Sequence, residues 1–111
     1  MTSLPRRLVR LLLASACITG AQLAQAHSLI CQCEELPEQE VRCKGGFAHG
    51  SGAPGVPVDV IGNDEQVLLS GRFGNDSTFT FKRPEGDFYV LMDVGPGHTL
   101  EVTSSQIRPM K

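Results

Sequence analysis

Gly52-Ala53-Pro54-Gly55-Val56-Pro57-Val58-Asp59-Val60-Ile61-Gly62-Asn63-Asp64-Glu65 is the stretch that decides the fold. A Gly/Pro loop opens into a run whose valines at 56, 58 and 60 share one face, and Gly62 to Glu65 closes it with turn-forming residues. Period-two alternation bounded by such residues marks a half-buried strand. The same punctuation repeats outward in both directions. Downstream, further strands are predicted over 66–72, 78–82, 87–94 and 98–103, separated by Gly74-Asn75-Asp76-Ser77, Arg83-Pro84-Glu85-Gly86 and Gly95-Pro96-Gly97. Upstream, strands over 28–34 and 41–48 flank the polar segment 35–40. The chain has no heptads, no helical stripe of useful length and no internal repeat. Short strands with turns at roughly ten-residue intervals predict an all-β fold, a single small β-sandwich of about seven strands.

The first 26 residues read differently from the rest. Basic Arg6, Arg7 and Arg10 precede the apolar run Leu11 to Ile18, and Ala24-Gln25-Ala26 supplies a small-x-small triplet. This three-part pattern predicts a secretory signal peptide over 1–26, followed by a sandwich domain over 27–111 that begins with His27. The run is too short and wrongly flanked for a membrane span, and no later segment approaches about 18 consecutive apolar residues. A lipidated Cys17 lacks the upstream leucine such a signal uses, and Leu8-Val9-Arg10 fits poorly after a twin-arginine pair at Arg6-Arg7. Cleavage predicts a periplasmic or secreted product without a direct membrane span.

Removing the leader takes away three of the ten basic residues and leaves seven against all twelve acids. A net negative domain lacks the basic face that nucleic acid or anionic lipid requires. The absence of Trp and the single Tyr89 argue against an aromatic sugar-binding platform. No nucleophile elbow, phosphate loop or carboxylate pair in an apolar setting points to an enzyme. A thiol nucleophile at Cys43 with His49 as its base is the weak exception.

Three cysteines, Cys31, Cys33 and Cys43, survive cleavage into an oxidising compartment, and an odd number cannot all pair within one chain. The first hairpin allows a geometric test. A register pairing Cys33 with Cys43 sets His27 opposite His49 and gathers His27, Leu29, Cys31, Cys33, Val41, Cys43, Phe47 and His49 on one face. Directly opposed Cys33 and Cys43 are then within disulfide reach, whereas Cys31 and Cys33, two apart on one strand, are not comfortably so. One reading is a Cys33–Cys43 staple with Cys31 packed as a small hydrophobe beside Leu29 and Phe47. A second is a soft three-thiolate site for Cu(I) or zinc, and a third is pairing with another protein.

An amino-terminal His27 offers its α-amine and its imidazole, two nitrogen donors from which a divalent metal can displace protons near neutral pH. Ni²⁺ and Cu²⁺ accept square-planar nitrogen donors, and the Ser28 amide adds a third. His98 follows the sharply turned Gly95-Pro96-Gly97, and His49 borders a Gly-rich loop; convergence of all three histidines would give four nitrogen ligands. Metal ligands at His27, His49 and His98 are therefore expected.

Gly45-Gly46-Phe47, Gly52 to Val58, Asn75 to Phe81 and Gly86-Asp87-Phe88-Tyr89-Val90 together resemble the carboxypeptidase regulatory-like, transthyretin-like sandwich over nearly the whole mature domain. Adding Ala26-His27 and Asp93-Val94-Gly95-Pro96-Gly97-His98 narrows the likeness to small periplasmic accessory subunits of energy-coupling-factor nickel and cobalt importers. That resemblance implies capture of Ni²⁺ or Co²⁺ for a membrane transporter, with His27 and His98 the matching positions. The three cysteines depart from that pattern and leave copper open as the metal. The rival reading is a non-catalytic envelope interaction module.

Overall fold

The computed structural model describes residues 28–109. Its seven strands are β1 (Leu29–Leu36), β2 (Glu40–Phe47), β3 (Pro57–Gly62), β4 (Val67–Arg72), β5 (Thr78–Lys82), β6 (Phe88–Asp93) and β7 (Thr99–Thr103). They form two antiparallel sheets, ordered β1-β2-β5 and β4-β3-β6-β7. The all-β sandwich expected from the alternating segments is the fold observed. Among the described residues no helix is long and apolar enough to cross a membrane.

Alternation builds the core between the sheets. Cys33, Val41, Cys43 and Phe81 from the first sheet face Val58, Val60, Val90, Met92 and Val102 from the second, and all are buried. Phe73, on the connection from β4 to β5, is only 2 % exposed and closes the layer. A register shift opposite Val60 and Ile61 places the extra residue, Leu68, on β4, while β3 keeps an unbroken ladder with β6 and buries both Val60 and Ile61. A bulge of this kind adds one residue and re-aims the strand beyond it.

The β1–β2 hairpin is longer than its sequence pattern indicates. Pairing of Leu36 with Glu40 draws Glu35 and Leu36 into the ladder and leaves Pro37, Glu38 and Gln39 as the turn. Glu38 and Gln39 both take positive φ, 65° and 61°, to close it. On the outer face, Arg42 meets Glu34 across the ladder at 3.4 Å.

The segment after β7 carries no strand pattern, yet it returns to the sandwich. A capping box between Thr103 and Gln106 starts a single 3-10 turn over Ser104–Gln106, and Ile107 inserts into the core. Arg108 then pairs in parallel with Glu34: its N–H donates to the Cys33 carbonyl at 3.3 Å, and Glu35 N–H donates to the Arg108 carbonyl at 2.9 Å. The tail thus covers part of an edge that would otherwise expose unpaired backbone groups.

Gly45 is fixed by packing. A Cβ there would lie 2.7 Å from Cε2 of the buried Phe73 ring. Gly45→Ala is expected to destabilise the domain by about 1–3 kcal/mol, as overpacked cores do. The check is a urea unfolding midpoint that falls at unchanged slope; an unmoved midpoint contradicts the packing described.

Candidate functional site

The observed β1–β2 register pairs Cys33 with Cys43 and Leu29 with Phe47. Because successive side chains alternate, this register sends Leu29, Cys31 and Cys33 inward with Val41, Cys43 and Phe47. Cys33 and Cys43 are disulfide-bonded across directly opposed positions, with Cα atoms 4.0 Å apart. Both sulfurs lie in the core, at residues 3 % and 0 % exposed. The bond closes a loop with a sequence separation of 10. In the chain-entropy description, a loop of that size is worth roughly 2.5–3 kcal/mol.

Cys31 is a free thiol, half-buried one pleat from the bond, and it faces Gly45 across the ladder. It packs on the core edge with Leu29, Phe47 and Leu100, as a small hydrophobe does. Burial pushes its thiol up to about 11. The three sulfurs lie within 4.8 Å of one another, the group of His, Cys, Asp or Glu donors that the fold draws together among the described residues. Beside them a cleft of about 390 Å³ opens between β1 and β7, with Cys31, Cys33, Leu100, Glu101, Val102 and Arg108 in its lining.

The histidines are arranged differently. His27 lies outside the described residues, as do the leader and Cys17. The next residue, Ser28, accepts a hydrogen bond from the Ala48 N–H at 2.9 Å, so the chain enters β1 beside the turn that holds His49. That turn is closed by Gly50 N–H donating to the Phe47 carbonyl, with Gly50 at φ 109°. The His49 ring stacks on Phe47 at 5.6 Å, and its Nε2 lies 2.8 Å from Ser51 Oγ. His98 is exposed at the end of a turn in which its N–H donates to the Gly95 carbonyl. Gly95 and Gly97 supply the positive φ angles, 129° and 76°, that this turn needs.

β1 and β7 run in the same direction along one side of the sandwich, with Cys31 and Cys33 across the cleft from Leu100 and Val102. The start of β1, the His49 turn and the His98 turn therefore share one end of the molecule. His49 and His98 join no three-donor group among the described residues. Cys43 and His49 do not form a thiol–imidazole pair either, since the Cys43 sulfur is committed to the disulfide.

Arg108 is the cleft residue that sequence reading passes over. The signal for it was present: Thr103-Ser104-Ser105-Gln106 has the spacing of a capping box, which announces a turn that redirects the chain. The buried Ile107 then fixes where Arg108 must sit. No family model, curated protein or solved structure matches the chain.

The raised Cys31 pKa has a direct chemical consequence, because the thiolate is the form that reacts. At pH 7, alkylation of native, oxidised protein with iodoacetamide is expected to be on the order of a hundredfold slower than for an unperturbed cysteine near 8.5. Its rate should climb about tenfold per pH unit toward 11. Rapid labelling at neutral pH would contradict the burial assigned to this thiol.

Proposed function

We propose that this chain is an exported, non-catalytic accessory protein that binds a transition-metal ion at the histidine end of its sandwich and serves a membrane transporter. The amine and imidazole of His27 are the primary donors, and His49 and His98 complete the set. The observation that best supports this reading is the Ser28–Ala48 hydrogen bond, which holds the residue after His27 beside the His49 turn. The His98 turn stands at the same end. Ser51 holds the His49 ring through one nitrogen, and such a hydrogen bond orients the other toward a ligand.

Nickel or cobalt is the direction given by the likeness of Ala26-His27 and Asp93 to His98, added to the sandwich motifs, to importer accessory subunits. By intrinsic affinity Cu²⁺ exceeds both in a nitrogen site, so discrimination rests on geometry and supply. The leader pattern and the buried disulfide support a periplasmic or secreted location, where disulfides persist.

A second reading, an envelope interaction module, draws on β4. This strand ends the second sheet, and its Val67, Leu68 and Leu69 are 56 %, 45 % and 42 % exposed. An apolar edge of this kind is suited to adding a strand from another protein.

Titration of correctly processed, oxidised protein with Ni²⁺, Co²⁺ and Cu²⁺, by calorimetry or native mass spectrometry, separates the two. The metal reading predicts one ion per chain, lost when one extra residue precedes His27. His49→Ala and His98→Ala should each weaken binding by about tenfold, the lower range for losing a supporting group. Absence of binding in both processed and extended forms overturns the metal reading and leaves the docking module.

A further inference from the structure

We propose that the N-terminal hairpin also carries a redox-gated soft-metal site. With the Cys33–Cys43 bond reduced, Cys31, Cys33 and Cys43 hold one Cu(I) ion in trigonal thiolate coordination at the floor of the β1–β7 cleft. This site is separate from the histidine end and shares no residue with it.

Geometry is the first argument. Three thiolates around a trigonal ion, with metal–sulfur bonds of about 2.3 Å, stand about 4 Å from one another. The three sulfurs here already lie within 4.8 Å. Breaking the disulfide moves two of them apart, toward that spacing, while the third needs only a small approach. Backbone pairing on both sides, Cys33 with Cys43 and Cys31 with Gly45, holds the donors on one face without a new fold.

The surroundings select the ion. Structural zinc sites are closed by four protein ligands in a tetrahedron, whereas the group assembled here supplies three sulfurs. Soft thiolates favour Cu(I). A three-thiolate Cu(I) unit bears a net charge of −2, and burying charge is costly unless it is compensated. Arg108 and Glu101 both line the same cleft, so its own charges cancel and the charge of the unit is met by solvent at the cleft opening. Cys31 and Cys33 both line that cleft, which gives the ion a route in from solvent.

A dithiol reductant gives two electrons and two protons to the Cys33–Cys43 bond and leaves as its own disulfide, so that three thiols face one another. Cu⁺ then displaces three protons and bonds to three sulfurs. Reoxidation by a disulfide oxidant, which takes two electrons from the Cys33 and Cys43 thiolates and two protons from solvent and leaves as a dithiol, re-forms the bond, withdraws two of the three donors and expels Cu⁺ as Cys31 takes back a proton, so the disulfide acts as the gate.

The test is an anaerobic Cu(I) titration of phosphine-reduced protein against a chromophoric Cu(I) chelator, with far-UV circular dichroism on the same samples. Reduced wild type is expected to take one Cu(I) per chain, and oxidised wild type none. Cys31→Ser and Cys31→Ala, which retain the disulfide pair, should each lose at least a hundredfold in affinity. His27→Ala should bind Cu(I) as wild type does, which keeps this outcome independent of the histidine site. Wild-type affinity in both Cys31 variants, equal uptake by oxidised protein, or loss of uptake in His27→Ala overturns the proposal. So does a reduced chain that loses its strand signal and does not recover it with one equivalent of Cu(I).

Discussion

The pairing of β1 with β2 is the constraint on which the rest of this molecule depends. Side chains on a strand alternate, so a slip of one residue would turn Leu29, Cys31 and Cys33 outward and bring Ile30, Gln32 and Glu34 into the core. The Cys33–Cys43 bond forbids that slip covalently. It also lets a thin core hold together, since a domain of this size buries only about 60–65 % of its unfolded surface. The same register sets Cys31 beside the bond and brings the Ser28 end of the chain against Ala48. Thiol cluster and histidine end are thus two consequences of a single alignment.

Packing between the sheets converts that alignment into two chemically distinct regions. β1 and β7 are edge strands of different sheets on the same side, and the cleft between them stays open because the tail crosses only at Arg108. Cys31 and Cys33 line this cleft with the apolar Leu100 and Val102 and with the charged Glu101 and Arg108. At the end of the sandwich, His49 and His98 are exposed on tight turns. Burial separates the two regions: the same hairpin face is dry at Cys43 and wet at His49.

Much of the fold was legible because alternation and turn residues agree. The run 78–82 was bounded as observed, since Asn75-Asp76-Ser77 and Arg83-Pro84 leave no room for another strand. The hairpin register followed from pairing two cysteines, and Leu29 does sit opposite Phe47. The errors have physical causes. Glu35 and Leu36 were assigned to the polar segment 35–40, but the ladder continues to the Leu36–Glu40 pair, and Glu35 meets Arg83 at 3.6 Å. Alternation fails in β4, where Val67, Leu68 and Leu69 are all exposed, because a bulge is a backbone event with weak sequence marks. Arg108 was passed over because the capping-box spacing of Thr103 to Gln106 announces only a turn, and where the tail then goes is set by Ile107 packing on distant strands. Of the site, the sulfur cluster was legible from spacing, whereas the grouping of the His49 and His98 turns at one end needed the order of strands in both sheets.

The central claim is that Cys33 and Cys43 are the bonded pair and Cys31 the free thiol. Denaturing the oxidised protein without reductant, alkylating it, and mapping the digested peptides by tandem mass spectrometry tests this most directly. The account predicts the alkyl label on Cys31 alone, with Cys33 linked to Cys43. A label on Cys33 or Cys43, or a Cys31 bonded to either, would contradict the register from which both sites are built.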